Sequence, residues 1–191
     1  MTRVRAEYQS TEFSFSRFLV PYLCGYEGKA IFMDSDMLCR TDIAELWKLD
    51  TPHSVSVVKH DYQPKKEDKF LGYKQSLYEK KNWSSLMLFN NTLCRALTPK
   101  VVNEASGLYL HQFKWLQDDS LIGALPVEYN HLVGEYPPNP NAKIVHFTLG
   151  TPCFKAYSNC EFSDEWYAEL DRVNDYNRIG EYKERHEIRA V

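Results

Sequence analysis

The sequence predicts an α/β domain built on a central, mixed but mostly parallel sheet, and three observations lead there. Short apolar runs bounded by turn residues alternate with segments of helical spacing, the pattern of strand–helix–strand units. The chain has 191 residues, of which 43% are hydrophobic; that is enough for one domain with a sizeable core and excludes a disordered chain. Finally, Asp34-Ser35-Asp36 directly follows the apolar run 30–33, and ligands in such sheets bind at the C-terminal edges of strands.

Residues 13–23 read as an aromatic-rich helix, with Phe15, Phe18, Leu19 and Tyr22 at helical spacing and Arg17 on the other face. Gly25 and Gly28 end it. Residues 29–33 form a buried strand that delivers the acidic pair. Thr41 caps a short helix over 42–48, and the β-branched run 54–58 is a second strand. Residues 60–82 are a charged excursion with a hairpin around 70–73. Residues 86–89 are a third strand. Thr98-Pro99 opens a helix, since proline suits the first helical position. A further helix spans 117–125 and closes at Pro126. The proline-rich loop 136–141 leads into the strand 144–147, and from Ser163 a polar helix presents Trp166, Leu170 and Val173 on one face. The domain occupies 1–160, and 161–191 is a C-terminal helical tail.

Charge and cysteine usage narrow the class. The net charge of −3 gives no nucleic-acid footprint. The five cysteines are odd in number and form no C-x-x-C pair, which fits reduced thiols in a cytosolic protein better than a disulfide framework or a zinc site. The N-terminus is polar, unlike a signal peptide, and the longest apolar stretch, 18–24, is too short to span a bilayer. Aromatic residues reach 14%; they suit sugar and base binding, and they also fill cores.

The chemistry concentrates on Asp34 and Asp36. In an extended backbone side chains repeat every second residue, so both carboxylates face the same side. They repel at neutral pH unless a cation lies between them. Mg²⁺ and Mn²⁺ take oxygen ligands and share them with substrate phosphates. The plain alternative is a solvated turn after a strand. His146 ends a strand before the Gly150 loop, and its imidazole suits Mn²⁺, although a lone histidine is commonly structural. Gln117, Asp118 and Asp119 form another acidic cluster, read equally as a helix cap. Ser84 and Ser85 follow a charged turn anchored by Trp83.

Four segments in order carry a resemblance: the strand ending Asp34-Ser35-Asp36; Trp83-Ser84-Ser85-Leu86-Met87-Leu88-Phe89-Asn90; Trp115-Leu116-Gln117-Asp118-Asp119; and Val145-His146-Phe147-Thr148-Leu149-Gly150-Thr151-Pro152. Together, over roughly residues 10–157, they resemble the family 8 glycosyltransferases, which are retaining, nucleotide-sugar-dependent enzymes of the GT-A fold. The stretch 10–47 is similar to bacterial members.

The resemblance implies a GT-A-like, Rossmann-like domain that transfers a hexose from a nucleotide sugar, UDP-hexose above all, to a glycan or lipid-linked saccharide. It implies Mn²⁺ or Mg²⁺ held by Asp34, Asp36 and His146. Arg17, Asp34, Ser84, Ser85, Gln117 and Gly150 match donor-binding positions, and Asp118 and Asp119 match the segment beside the anomeric carbon. The family's central Gln there is a poor nucleophile, and Asp118 in its place makes a carboxylate nucleophile conceivable. The expected setting is cytoplasmic, with peripheral contact at the inner membrane face and self-association both allowed.

Two departures stand out. The family's first strand and helix, which bind uracil and ribose, lie upstream of the 13–23 helix, whereas here about a dozen residues precede it; the reading is an N-terminally truncated member. In the His–Gly segment the family's tryptophan is replaced by Cys153, and Lys155 lies near but off the phosphate-binding position. These departures raise the alternative of a non-catalytic remnant that binds metal or sugar. A haloacid-dehalogenase-type phosphatase also uses Asp-x-Asp after a strand, but Leu38 stands where that class has Thr or Val.

Overall fold

A computed structural model describes residues 14–49, 52–61 and 78–187, with side chains through Tyr176. The hairpin expected at 70–73 lies outside the described residues. The strands are β1 (Lys29–Met33), β2 (Met37–Cys39), β3 (Val55–Val57), β4 (Leu86–Asn90), β5 (Ile122–Ala124), β6 (His131–Leu132) and β7 (Ile144–His146). The helices are α1 (Val20–Leu23), α2 (Ala44–Trp47), α3 (Pro99–Glu104), α4 (Gly107–His111) and α5 (Ser163–Glu187).

The strands form two sheets instead of one. Four strands run in the order β1-β4-β3-β5, and three in the order β2-β7-β6. The β1–β4, β3–β4 and β2–β7 pairs are antiparallel, while β3–β5 and β6–β7 are parallel. The sheets are therefore mixed, as expected, but parallel pairing does not predominate among the described residues.

β4 is the hinge of the core. Leu86, Met87, Leu88 and Phe89 are all fully buried, because the pleat sends alternate side chains into two different cores. Met87 and Phe89 join Phe18, Val55, Val57 and Leu110 on one face. Leu86 and Leu88 join Leu46, Val58, Tyr129 and Ile144 on the other. Each such burial is worth about 1.5–3 kcal/mol, so this one continuous apolar strand welds both layers. A third cluster, Leu38, Val133, Val145 and Phe147, lies against Phe162 and Trp166.

Several local expectations are revised. The helix at 13–23 is a 3₁₀ turn, Ser16–Leu19, running into the short α1. Asp42, not Thr41, caps the α2 region by accepting from the Ala44 amide at 2.9 Å. Thr98 does cap α3, accepting from the Val101 amide at 3.2 Å. The segment 117–125 is not a helix: a 3₁₀ turn, Asp119–Leu121, leads directly into β5, which pairs in parallel with β3. Its Gly123 lies so close to β3 that a Cβ there would meet Ser56 Oγ at 2.3 Å, an approach open only to glycine.

The start of α5 is bound to the body. Arg40 Nε meets Glu165 at 2.7 Å, and Trp166 packs on the third cluster. Further along the face expected to carry it, Val173 is exposed. Among the described residues no helix is long and apolar enough to cross a membrane.

Candidate metal and donor site

Asp34 and Asp36 occupy the connector between β1 and β2, so they lie where the chain leaves one sheet and enters the other. Asp34 directly follows β1, while Ser35 and Asp36 form the turn into β2, and the two carboxylates come close together. β2 runs antiparallel to β7 with Met37 opposite His146, and the Phe147 amide donates to the Asp36 carbonyl at 3.0 Å. That register sets His146 beside the acidic pair. One ligand atom from each of Asp34, Asp36 and His146 falls within 4.8 Å of the others, and His146 Nε2 lies 3.3 Å from Asp36 Oδ1. Two carboxylates and an imidazole form a donor set suited to Mn²⁺ and its neighbours, so the residues present fit a divalent cation.

Arg17 holds the first carboxylate. Its guanidinium meets Asp34 through Nη2–Oδ1 at 2.7 Å and Nη1–Oδ2 at 3.2 Å. It also donates to the Ser84 carbonyl from Nη1 and the Ser14 carbonyl from Nε, both at 2.8 Å. Such bidentate pairing fixes a carboxylate in orientation as well as in charge. Burial pushes the Asp34 carboxyl above its ordinary value, the Arg17 guanidinium and the nearby His146 opposing it and Asp36 adding to it. Desolvation is the main source of this upward pressure and the neighbouring Asp36 charge a smaller one, and a cation would relieve both.

Behind the ligands lies a buried polar chain. The Asp34 amide donates to the Ser85 carbonyl at 2.9 Å. Asn130 Nδ2 donates to Ser85 Oγ at 2.8 Å, and Asn130 Oδ1 lies 3.2 Å from His146 Nδ1. Ser84 Oγ lies 2.8 Å from His111 Nδ1, at the end of α4. Sequence reasoning missed Asn130 and His111; the only signal for Asn130 is a polar residue inside the mostly apolar stretch 125–133.

The remaining candidates are placed as follows. Ser84 and Ser85 are buried at the entry to β4. Gln117, Asp118 and Asp119 are exposed. Asp118 Oδ1 accepts from the Ser120 amide at 2.8 Å and from its hydroxyl, and these bonds hold its carboxyl below the usual range. Asp119 pairs with Lys80, and Lys80 also donates to the Gln112 carbonyl at 3.0 Å, which ties this segment to the turn leading into Ser84 and Ser85. Gly150 is buried with φ +151°, and a Cβ there would lie 2.5 Å from the Tyr157 ring. The five cysteines are free thiols; burial pushes the Cys94 thiol up to about 12.

A mixed α/β fold with an acidic pair at a strand end and a histidine across from it is an arrangement that can hold a divalent cation at the edge of the sheet, and comparison with known proteins gives its class. A family model described as Glycosyl transferase family 8 matches residues 4–95, which takes in Arg17, Asp34, Asp36, Ser84 and Ser85. An Arabidopsis thaliana protein, Protein CDI, is 43% identical over 184 residues, covering 92% of this chain and 71% of that protein. The fold is similar to that of the glycosyltransferase GlyE of Streptococcus pneumoniae TIGR4 (TM-score 0.52, 17% identity, 81% of this chain and 42% of that one). It is also similar to the WbbM bifunctional glycosyltransferase (TM-score 0.53, 19% identity, 81% of this chain and 35% of that one). The chain belongs to glycosyl transferase family 8. It spans less than half the length of these two solved structures. Family and fold leave no support for the phosphatase alternative.

Proposed function

We propose that this chain is a metal-dependent, retaining glycosyltransferase domain that moves a hexose from a nucleotide sugar, UDP-hexose above all, to a glycan or lipid-linked saccharide. The observation that supports this most is the convergence of Asp34, Asp36 and His146 from two sheets, with Arg17 clamping the first of them. A divalent cation at this site, Mn²⁺ or Mg²⁺, supplies a Lewis acid for the diphosphate leaving group.

The chain's own residues have distinct parts. Asp34 and Asp36 bring the negative charge that attracts the cation, and His146 adds a neutral nitrogen donor. Arg17 orients Asp34 and extends toward the donor sugar. Ser84, Ser85 and Gln117 line that sugar. Gly150 brings backbone close to the diphosphate. Asp118, whose carboxyl Ser120 holds below the usual range, supplies negative charge for the developing oxocarbenium ion, and Asp119, paired with Lys80, stands beside it. Front-side attack on the anomeric carbon is the preferred route to retention, with Asp118 the nucleophile in the double-displacement alternative. The working place is the cytoplasmic side, at or near the inner membrane face.

Calorimetric titration with UDP in the presence and absence of Mn²⁺ tests the reading. Mn²⁺-dependent UDP binding is expected, falling at least tenfold in Asp36→Ala. Absence of binding, together with no hydrolysis or transfer from any common nucleotide sugar, would overturn it. Mn²⁺ binding without nucleotide binding would instead mark a non-catalytic remnant.

A further inference from the structure

We infer that Asn130 is a positioning residue that fixes the tautomer of His146 and so keeps Nε2 open as a ligand atom. The inference deepens the metal-site reading above, but the tautomer itself can be read without any metal.

The argument follows the direction of each hydrogen bond along a buried chain. It starts at the Asn82 backbone carbonyl, which can only accept. Ser85 Oγ lies 2.6 Å from it and must donate, using the one hydrogen the hydroxyl has. The Ser85 oxygen is then left only lone pairs for Asn130, so the group 2.8 Å away is the amide Nδ2–H, which donates. With Nδ2 committed there, Oδ1 faces His146 Nδ1 at 3.2 Å. An amide oxygen only accepts, so Nδ1 carries the hydrogen. In a neutral ring the lone pair then resides on Nε2, the nitrogen that faces Asp36 Oδ1 at 3.3 Å.

This outcome opposes the local pull of Asp36. A carboxylate at that distance favours the other tautomer, in which Nε2–H donates to it. That bond would close the nitrogen to a cation and occupy a carboxylate oxygen too. Asn130 is fully buried, and Ser85 and His146 are 3% exposed, so water does not compete for these bonds. A buried amide left without its partners costs about 1–3 kcal/mol, which holds the chain to one direction. Ser85 also accepts the Asp34 amide through its carbonyl at 2.9 Å; one residue thereby links the backbone of one ligand to the ring of another. Outer partners of metal-bound histidines commonly act in this way.

¹⁵N-histidine-labelled, metal-free protein at alkaline pH gives the direct test, with the His146 signals assigned by their loss in His146→Gln. Nδ1–H is expected in the unsubstituted protein. In Asn130→Leu the hydrogen should move to Nε2, and in Asn130→Asp, which restores an acceptor, it should stay on Nδ1. An unsubstituted ring protonated on Nε2 and not on Nδ1 would overturn the inference, and this holds even where the leucine variant does not fold. As a second readout, Mn²⁺ affinity by electron paramagnetic resonance should weaken about tenfold in Asn130→Leu and recover in Asn130→Asp; unchanged affinity in a folded leucine variant also overturns it. Failure of UDP binding or sugar transfer would bear on the proposed function and leave the tautomer result standing.

Discussion

Arg17 shows how much a single side chain can organise at this site. Its guanidinium serves both Asp34 oxygens and two backbone carbonyls at once, and lies over the Phe32 ring at 5.0 Å. A lysine carries the same charge on one nitrogen and cannot span that fork. Arg17→Lys should therefore cost about 1–2 kcal/mol of stability, read from the urea midpoint, and also weaken Mn²⁺ binding because Asp34 loses its fixed orientation. His60 makes a second prediction at this scale. It is buried against Tyr136, with Nδ1 2.7 Å from the phenol oxygen, and burial drives it down to about 3 from 6.5. Between those values the unfolded chain binds a proton that the folded chain does not. Stability therefore falls as pH drops from 6.5 toward 3, by up to about 1.4 kcal/mol per pH unit. Denaturation across that range should show the slope, and His60→Asn should flatten it even though it lowers stability at neutral pH.

At the scale of elements, the close approach of β5 to β3 gives the clearest prediction. A methyl at Gly123 would lie 2.3 Å from Ser56 Oγ and 2.7 Å from His53 Nδ1. Gly123→Ala should cost about 1–3 kcal/mol through overpacking. The double variant with Ser56→Ala should recover part of that cost, a coupling that chemical denaturation of the four proteins would measure. The same element shows where sequence reading failed. Leu121, Ile122 and Leu125 have spacing that suits a helix, and Pro126 supplies a stop, so the segment reads as one. Its true state is decided by the partner strand, which leaves no mark in a single chain. β4 and β7 were legible because contiguous apolar runs of that length are buried on both faces, and β1 because its apolar run is contiguous, although its residues are only partly buried. The short α4 was not legible, since its apolar residues are few and its start is set by Ser106 accepting from the Tyr109 amide at 3.0 Å. Within the site, the grouping of Asp34, Asp36 and His146 was legible from their place at strand ends, whereas Arg17, on the 3₁₀ turn Ser16–Leu19, was legible from the family resemblance alone. Asn130 was not, because a buried amide is recognised by its partners and these lie 45 and 16 positions away.

Across the whole molecule, the two sheets share little covalent continuity at the site beyond the short connector Asp34-Ser35-Asp36. Asp34 ends the four-stranded sheet, whereas Asp36 and His146 belong to the start of β2 and the end of β7 in the three-stranded one. A ligand bound by residues of both sheets stabilises their joined form over any state in which they part, by about 2.7 kcal/mol at a hundredfold excess over its dissociation constant. A divalent cation held there would therefore have a mechanical role apart from chemistry, as a rivet between two plates. Native-state hydrogen exchange should show β2 and β7 opening before β4 in metal-free protein, with the two sheets exchanging as one cooperative unit once Mn²⁺ is added. Equal protection of both sheets without metal would mean that the apolar cores alone hold the plates together.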